Sequence, residues 1–303
     1  MTRSLPVRAL RSVPLAVRVP SAVAPRFVVL LPLLLLLLVT GCSATDTGEG
    51  PGKGPGKGPA EGPGTGKPAP AARWAPRPGT LWQWQLDGRV DPRTDVPVYD
   101  IDGFENTAAD VARLHRDGRK VICYINAGAW EDFRSDRDTF PSSVLGRPNG
   151  WDGERWLDIR RLDVLGPLMG KRFDMCRSKG FDAVEPDLLD GYLNDTGFPL
   201  RAGDQLAYNR MIARLAHERG MSVGLKNDLP QVPALVGTFD FAVNEECAQY
   251  GECALLTPFV RAGKAVLHVE YALPTEDFCA QSRRLGLSSM RKKLDLGTWR
   301  QAC

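Results

Sequence analysis

The feature that most constrains this chain is an alternation of short apolar segments with helical stretches, which begins near residue 80. Parallel strands are joined through helical crossovers, so the alternation predicts a parallel sheet of the α/β class. Eight repeats over about 220 residues fit a closed (β/α)8 TIM barrel. The apolar segments are residues 81–86, 97–102, 120–126, 181–187, 221–227, 239–245, 265–271 and 287–294.

The connections between these segments supply the helices and one long loop. About 35 residues follow the third segment, and a connection of that length indicates a functional segment. An open doubly wound sheet is the alternative architecture. It usually carries a glycine-rich phosphate-binding turn after its first strand, and none is found here. Helical patterns cover residues 107–117, 167–179, 204–219, 232–236 and 275–284.

The N-terminus has the features of an exported lipoprotein. Five arginines precede an apolar run from Phe27 to Val39, which is too short to span a bilayer comfortably. The run ends in Val39-Thr40-Gly41-Cys42, which resembles a bacterial lipobox. We therefore predict lipid on Cys42 and an exported, outward-facing protein anchored in the bacterial cell membrane. Cleavage as an ordinary signal peptide, with Cys42 incidental, is the alternative.

Gly, Pro, Lys and Ala dominate the residues that follow the lipobox. Such a segment has no apolar face with which to offset its conformational entropy, so it reads as a flexible tether. The predicted organisation is a signal peptide at 1–41, a tether at 42–72 and a barrel domain at 73–303.

The composition indicates which ligands and which disulfides to expect. The net charge of +3 gives no argument for nucleic-acid binding, and the presence of only three histidines argues against a zinc site. We expect neither metal nor cofactor.

With Cys42 lipidated, six cysteines remain, an even number that predicts disulfides in an exported protein. Fifteen pairings exist. The favoured set is Cys247–Cys253, which is local, with Cys279–Cys303 and Cys123–Cys176.

Polar side chains follow the apolar run in most of the predicted strands. In a barrel these carboxyl ends converge on one face, where active sites are built. Carboxylates packed together raise one another's pKa and repel, so their concentration indicates acid/base chemistry or a cationic ligand. The residues concerned are Asp100, Asp102, Asn126, Glu185, Asp187, Lys226, Asn227, Asp228, Asn244, Glu245, Glu246, His268, Glu270 and Tyr271.

Two of these carboxyl groups form a candidate catalytic pair. Glycoside hydrolysis needs two carboxyl groups flanking the bond, and Asp187 and Glu245 end the fourth and sixth segments. Glu185 shares the strand parity of Asp187 and lies deeper, either orienting Asp187 or forming an ion pair with Lys226. Glu245 and Glu246 point in opposite directions. Parity favours Glu245 in the cleft, unless the strand end bulges.

Aromatic residues near the strand ends favour a sugar site. Flat rings stack on sugar faces, although core packing is the alternative for each ring. Trp82 and Trp84 are candidates for the barrel interior, and Tyr192 is the best surface candidate. The rings near strand ends or in the following loops are Trp82, Trp84, Tyr124, Trp130, Tyr192 and Tyr271.

Several stretches together resemble the endo-α-1,4-polygalactosaminidase family, glycoside hydrolase family 114. The resemblance implies a TIM barrel, a retaining mechanism and cleavage of α-1,4-linked galactosamine polymers. It also implies that Asp187 is the nucleophile and Glu245 the acid/base. The stretches are WQWQL at 82–86, VYDID at 98–102, VICYINAG at 121–128, GFDAVEPD at 180–187, GLKN at 224–227, VNEEC at 243–247, GKAV at 263–266 and EY at 270–271.

The acid-rich mouth suits a polycationic amino sugar, and the remaining candidates are expected to line its site. Lys226 is expected to keep Asp187 or Glu185 ionised. Two other functions stay open: a carbohydrate-binding lipoprotein without turnover, and a barrel hydrolase acting on another polysaccharide. The sequence leaves endo or exo action and the oligomeric state open. The expected substrate contacts are Asp100, Asp102, Tyr124, Asn126, Glu185, Tyr192, Lys226, Asn244, Glu246, Glu270 and Tyr271.

Overall fold

The structure is a computed structural model that describes residues 73–303. The predicted signal peptide, the tether and the lipidation site Cys42 lie outside the described residues. Within residues 73–303, none of the helices combines the length and apolar character that a membrane span requires.

Eight parallel strands and the helices between them build a (β/α)8 barrel, as the alternation predicted. The main sheet has the order β1-β2-β3-β7-β8-β9-β10-β11-β12, in which β12 alone is antiparallel to its neighbour. The strands are β1 (Trp82–Gln85), β2 (Val98–Asp102), β3 (Lys120–Asn126), β4 (Ala129–Glu131), β5 (Leu145–Pro148), β6 (Glu154–Leu157), β7 (Ala183–Asp187), β8 (Ser222–Lys226), β9 (Phe241–Glu245), β10 (Val266–Glu270), β11 (Ser288–Arg291) and β12 (Gln301–Ala302). The helices are α1 (Ala108–Arg116), α2 (Leu162–Lys179), α3 (Ala202–Glu218), α4 (Val232–Leu235), α5 (Thr257–Arg261) and α6 (Thr275–Leu285).

Large side chains fill the interior of the barrel. Trp82 and Trp84 are both 1% exposed and pack in one cluster with Phe241 and Val243. The space is so tight that a Cβ atom at Gly224 would lie 2.5 Å from the Phe241 ring. A closed inner core of this kind leaves only the two ends of the barrel for binding.

The seam between the first and last parallel strands is closed by side chains and by the C-terminal tail. The indole of Trp82 donates to the carbonyl of Ser288 at 2.9 Å, and the amide of Leu86 donates to the carbonyl of Leu296 at 2.9 Å. The amide group of Gln83 donates to the carbonyl of Thr298 at 2.8 Å. The tail is therefore part of the barrel wall.

The long connection after β3 contains a small sheet that the sequence patterns did not predict. Its strands pair antiparallel in the order β4-β6-β5. A buried ion network joins this insertion to the barrel. Arg134 donates to both oxygens of Asp102 at 3.0 and 2.6 Å and to Glu131 at 2.9 Å, while Arg172 binds Asp136 at 2.8 and 3.0 Å.

Helix α2 begins at Leu162, so the predicted start at 167 was wrong. Proline is most common at the first helical position, which is why Pro167 indicated the start. In the structure the amides of Val164 and Leu165 already donate to the carbonyl of Arg161. The helix therefore forms before Pro167, and the ring removes one backbone hydrogen bond near its N-terminus.

Three disulfides are present, with the pairing that the sequence favoured. Cys123–Cys176 joins β3 to α2, and Cys247–Cys253 closes the loop after β9. Cys279–Cys303 joins α6 to the C-terminus, which fixes the tail that covers the seam.

Replacing both Cys279 and Cys303 by serine should lower the free energy of unfolding by about 3 kcal/mol. The bridge closes a loop with a sequence separation of 24, and its loss restores the entropy of that loop in the unfolded chain. Urea unfolding followed by circular dichroism measures the difference. The double alanine variant is the control for the hydroxyls that serine introduces. A loss below about 0.5 kcal/mol in both variants would contradict this role of the bridge.

Candidate active site

A single lysine organises the carboxyl ends of three neighbouring strands. The Nζ atom of Lys226, at the end of β8, lies 2.8 Å from Glu185, 3.0 Å from Asp187 and 3.3 Å from Glu245. Lys226 is 1% exposed. Burial lowers the pKa of its ammonium, but the three carboxylates raise it more, so the pKa lies well above its ordinary value. The site therefore contains a permanent buried cation.

Asp187 is fixed at both of its oxygens. Its Oδ1 accepts from the amide of Leu188 at 2.8 Å as well as from Lys226, and its Oδ2 accepts from the hydroxyl of Tyr124 at 2.8 Å. Burial and then the charge of Asp187 hold the pKa of Tyr124 well above its ordinary value. The tyrosine therefore stays protonated and donates. The Asp187 side chain keeps 17% exposure, so it is open to a ligand.

Glu245 faces the same cleft, as strand parity indicated. Its Oε2 contacts Lys226, and its Oε1 accepts from the hydroxyl of Tyr271. Because one nitrogen contacts both carboxylates, at 3.0 and 3.3 Å, Asp187 Oδ1 and Glu245 Oε2 are at most 6.3 Å apart. Glu246 turns away, with a φ of 61° and its amide bonded to Val269. Its pKa is raised by burial and by Glu245.

A second carboxyl pair lies beneath the cleft. Glu185 is fully buried and accepts from the indole of Trp84 at 3.0 Å in addition to its ion pair with Lys226. Asp100 is also fully buried, and no N–H or O–H donor of the described residues reaches its oxygens. Burial and the charge of Glu185 hold the pKa of Asp100 well above its ordinary value. The raised pKa favours the protonated form of Asp100 beside Glu185.

Four acids that the sequence indicated as substrate contacts are buried in the structure. Asp102 is bound by Arg134, and Glu270 binds the amide of Ala248 at 2.7 Å. Asp100 and Glu185 lie under the cleft, and Glu185 forms the ion pair with Lys226 that the sequence indicated as its alternative role. Strand parity gives the face of such a side chain but not its depth.

Two asparagines also serve the scaffold rather than the open cleft. Asn126 is 1% exposed and accepts from the amide of Ala129 at 2.8 Å. Asn244 is 1% exposed and donates to Asn227 at 3.1 Å, and the same Asn227 oxygen accepts from the amide of Glu245 at 3.0 Å. Both side chains hold the strand ends in place, and Asn126 also donates to Glu154 at 3.2 Å.

Three further carboxyl groups near the cleft were not among the expected substrate contacts, although Asp228, which is 1% exposed, was recognised as a polar residue at a strand end. Burial and then the charge of Asp187 raise the pKa of Asp190 to about 7. Burial and Asp190 raise the pKa of Asp228 to about 8, beside the half-buried Tyr192. Burial, despite a hydrogen bond from Asn149, raises the pKa of Glu154 to about 7. We refer to Asp190, Asp228 and Glu154 as the acidic flank.

Backbone strain is concentrated at the same strand ends. Leu188, Asn227, Asp228 and Glu246 have φ values of 59°, 50°, 49° and 61°, and they are four of the five non-glycine residues with positive φ in the described part of the chain. Each follows β7, β8 or β9 directly. Such conformations cost about 1 to 3 kcal/mol each for most residues and cluster at functional sites. They turn the chain sharply, which leaves the preceding side chains in the cleft.

One group of metal-type side chains lies near this site, but it cannot supply thiolate ligands. Cys247, Cys253 and His268 lie within 4.8 Å of one another. The two sulfurs are joined in a disulfide, and the His268 ring nitrogens contact Ser289 at 2.8 Å and Glu270 at 2.9 Å.

Known proteins that resemble the chain share this architecture. Ega3 of Aspergillus fumigatus, solved in complex with galactosamine, is 38% identical over 77% of this chain and 98% of its own, with a TM-score of 0.73. The glycoside hydrolase domain of PelA from Pseudomonas aeruginosa is 15% identical over 73% and 97% of the two chains, with a TM-score of 0.58, and so supports the fold. Comparison with curated proteins gives no match.

The sequence also matches the model of one protein family over most of its length. That model is glycoside hydrolase family GH114, and it matches residues 64–303, which include every residue of the site. The chain therefore belongs to family GH114 and is a glycosidase.

Proposed function

We propose that this glycosidase cleaves α-1,4-linked galactosamine-containing polysaccharide by a retaining mechanism, with Asp187 as nucleophile and Glu245 as acid/base. The observation that carries the proposal is the contact of one ammonium, that of Lys226, with both carboxylates. A binding protein without turnover has no need for a carboxylate pair held in this way.

The separation of the two carboxylates supports retention. Inverting glycosidases hold their carboxyl groups about 6.5 to 9.5 Å apart to admit a water molecule, and retaining enzymes hold them about 5 to 5.5 Å apart. The two oxygens that contact Lys226 at 3.0 and 3.3 Å can be no more than 6.3 Å apart, which is compatible with the retaining range and just short of the inverting one.

The reaction then has two steps. Asp187 attacks the anomeric carbon, and the electron pair of the breaking C–O bond passes to the leaving oxygen, which takes a proton from Glu245. In the second step Glu245 takes a proton from water, whose oxygen displaces Asp187 from the sugar. Asp187 loses its charge as Glu245 gains one, so the negative charge around Lys226 is unchanged in the first step. The fixed cation needs no rearrangement while charge moves across it.

The charge of the cleft supports a cationic substrate. The acidic flank adds three carboxyl groups to the catalytic pair, and burial together with neighbouring carboxylates raises their pKa values, so a bound ammonium would shift them toward the ionised form. A sugar ammonium supplies such a charge. The 38% identical Ega3 was solved with galactosamine, which is such a sugar.

We also propose that the protein is exported and anchored by lipid on Cys42. The three disulfides of the barrel support an oxidising compartment, because such bonds are rare in the reducing cytosol. The order of basic residues, apolar run and Cys42 supports the anchor.

Substitution of the catalytic pair tests the mechanism. Asp187→Asn should reduce release of reducing ends from galactosamine oligomers by at least about 10³-fold with the fold retained, because the amide is not a nucleophile. Glu218→Gln, on the exposed face of α3, is the control and should retain most activity, whereas Glu245→Gln should not. In the wild-type reaction, NMR should detect the α anomer as the first product. A first product in the β configuration, or an active Asp187→Asn variant, would contradict the mechanism.

Substitution of the acidic flank tests the link between charge and substrate. Folded Asp228 holds its proton up to about pH 8, whereas an unfolded aspartate releases it near pH 4, so this group makes the free energy of unfolding fall as pH rises between these values. Asp228→Asn should therefore be more stable than the wild type by about 2 kcal/mol at pH 9 and little changed at pH 4. Its KM for galactosamine oligomers should rise. Thermal unfolding at several pH values and initial rates measure the two effects.

Asp110 gives a control of opposite sign for that experiment. Burial raises its pKa, but hydrogen bonds from Thr107 and Arg89 lower it to about 2. Its stabilisation is complete above about pH 4 and is lost as pH falls toward 2, so Asp110→Asn should be destabilised at pH 9 with KM unchanged. Equal pH profiles for wild type and Asp228→Asn would contradict the raised pKa of Asp228.

The anchor is tested in bacterial cells that produce the full chain. Cys42→Ser removes the thiol that lipid requires, so the protein should move from the membrane fraction to the medium or remain as unprocessed precursor. Ser43→Ala, the neighbouring substitution, is the control and should stay with the membrane. Labelled fatty acid should enter the wild type and Ser43→Ala but not Cys42→Ser, and incorporation into Cys42→Ser equal to that of the wild type would contradict lipidation at this residue.

A further inference from the structure

A cavity of about 530 Å³ is lined by residues at the carboxyl ends of β9, β10 and β11 and after them, and in the strand order β9, which carries Glu245, lies between β10 and the strand of Asp187, β7. Glu245 lies between the nucleophile and this cavity. Its Oε2 contacts Lys226, which also contacts Asp187, whereas its Oε1 accepts from Tyr271. Tyr271 is also part of the cavity wall. We call this cavity the Trp299 pocket, and it is lined by Glu246, Tyr271, Arg291, Lys293, Leu294 and Trp299, together with Ala272 and Lys292.

The position of the pocket assigns it to the leaving group. The nucleophile contacts the anomeric carbon of one sugar, and the acid/base contacts the oxygen that joins it to the next sugar. The leaving sugar therefore lies on the Glu245 side of the scissile bond. Tyr271, which donates to Glu245, also forms part of the Trp299 pocket, so the pocket adjoins the position of the leaving sugar.

The loop that carries Trp299 is rigidly attached to the barrel. Lys292 is 1% exposed and donates to the carbonyl of Gly297 at 2.6 Å. Leu296 accepts from the amide of Leu86, and Gln83 donates to the carbonyl of Thr298 at 2.8 Å. A ring held by such a loop is preorganised, so a ligand that stacks on it loses little to ordering of the protein.

The Trp299 pocket is lined mainly by cations and apolar side chains, with Glu246 as its one carboxylate, whereas the acidic flank consists of carboxyl groups. Trp299 and Leu294 are 40% and 60% exposed, which is a large apolar area for a surface that borders an active site. Lys293 lies 5.6 Å from the centre of the Trp299 ring, and Arg291 is held against the wall by the carbonyl of Tyr271 at 3.1 Å. These two cations repel an ammonium. They donate to a neutral carbonyl oxygen, and the apolar surface accommodates a methyl group.

We propose that the Trp299 pocket binds an N-acetylated, uncharged hexosamine unit as the leaving sugar. The acetamido group combines the carbonyl oxygen and the methyl group that the pocket fits. The proposal rests on the proposed function and deepens it. The enzyme cuts most readily where a cationic sugar, held at the acidic flank, is followed by an N-acetylated one, so its substrate is a partly deacetylated polymer.

Binding to the pocket is measured first, independently of turnover, by calorimetric titration of the wild type and Trp299→Ala with two methyl glycosides. Loss of the stacking ring should weaken binding of methyl N-acetyl-α-galactosaminide about tenfold and leave methyl α-galactosaminide unchanged. Melting temperatures show whether the variant is folded. Equal binding of the N-acetylated glycoside by both proteins overturns the proposal, whatever the activity of the enzyme.

Cleavage-site mapping is the second arm. Partly acetylated galactosamine oligomers are digested, and mass spectrometry reads the sugars at the new ends. The expected products carry N-acetylgalactosamine at the new non-reducing end, and the bias should fall about tenfold in Trp299→Ala. Lys293→Glu should shift cleavage toward deacetylated leaving sugars, whereas Lys171→Glu, the same charge change on the exposed face of α2, should not.

The outcomes separate the two claims. Cleavage of galactosamine oligomers with no bias at the new non-reducing end overturns the Trp299 pocket as a specificity site and leaves the proposed function intact. Absence of cleavage of every oligomer overturns the proposed function, and the titration still decides whether the pocket binds N-acetylated sugar.

Discussion

Lys226 places one buried positive charge among three carboxylates from β7 and β9, at 2.8, 3.0 and 3.3 Å. Burying a charge is expensive unless it is paired, and removing one partner of a buried pair typically costs about 3 to 5 kcal/mol. The geometry of the site follows from this requirement. The carboxylates must converge on the ammonium, and two of them, Asp187 and Glu245, keep enough exposure to meet a substrate.

The charge count explains why a protonated acid lies beneath the site. Lys226 is shared by Glu185, Asp187 and Glu245, so a further ionised carboxylate at Asp100 would have no cation of its own. Burial and the charge of Glu185 raise the pKa of Asp100, which favours its protonated form. Burial and neighbouring carboxylates also raise the pKa values of the acidic flank, so a bound ammonium would shift those groups toward ionisation. That response suits a site whose ligand brings positive charge.

The strands were predictable because parallel strands buried on both faces read as apolar runs, and all eight runs became strands. The catalytic pair followed from strand parity, which tells the face of a side chain. Parity does not tell depth, which is why Asp100 and Glu270 were expected in the cleft, whereas Glu185 was expected to lie deeper and does so beside Lys226. Asp190 follows a strand end where the positive φ of Leu188 redirects the chain, and strand parity does not extend past such a turn.

The strained backbone and the clustered acids of the active site lie close to the disulfides that stabilise the fold. Positive φ values at four residues and the acids with raised pKa values are concentrated at the carboxyl ends of β7, β8 and β9. Around that region, Cys247–Cys253 closes the loop after β9, and Cys123–Cys176 holds β3 against α2. The third bridge, Cys279–Cys303, holds the tail that completes the barrel wall and presents Trp299. The three disulfides stabilise the folded barrel by restricting the unfolded chain. That stabilisation offsets the cost of the strained backbone and the neighbouring carboxyl groups at the active site.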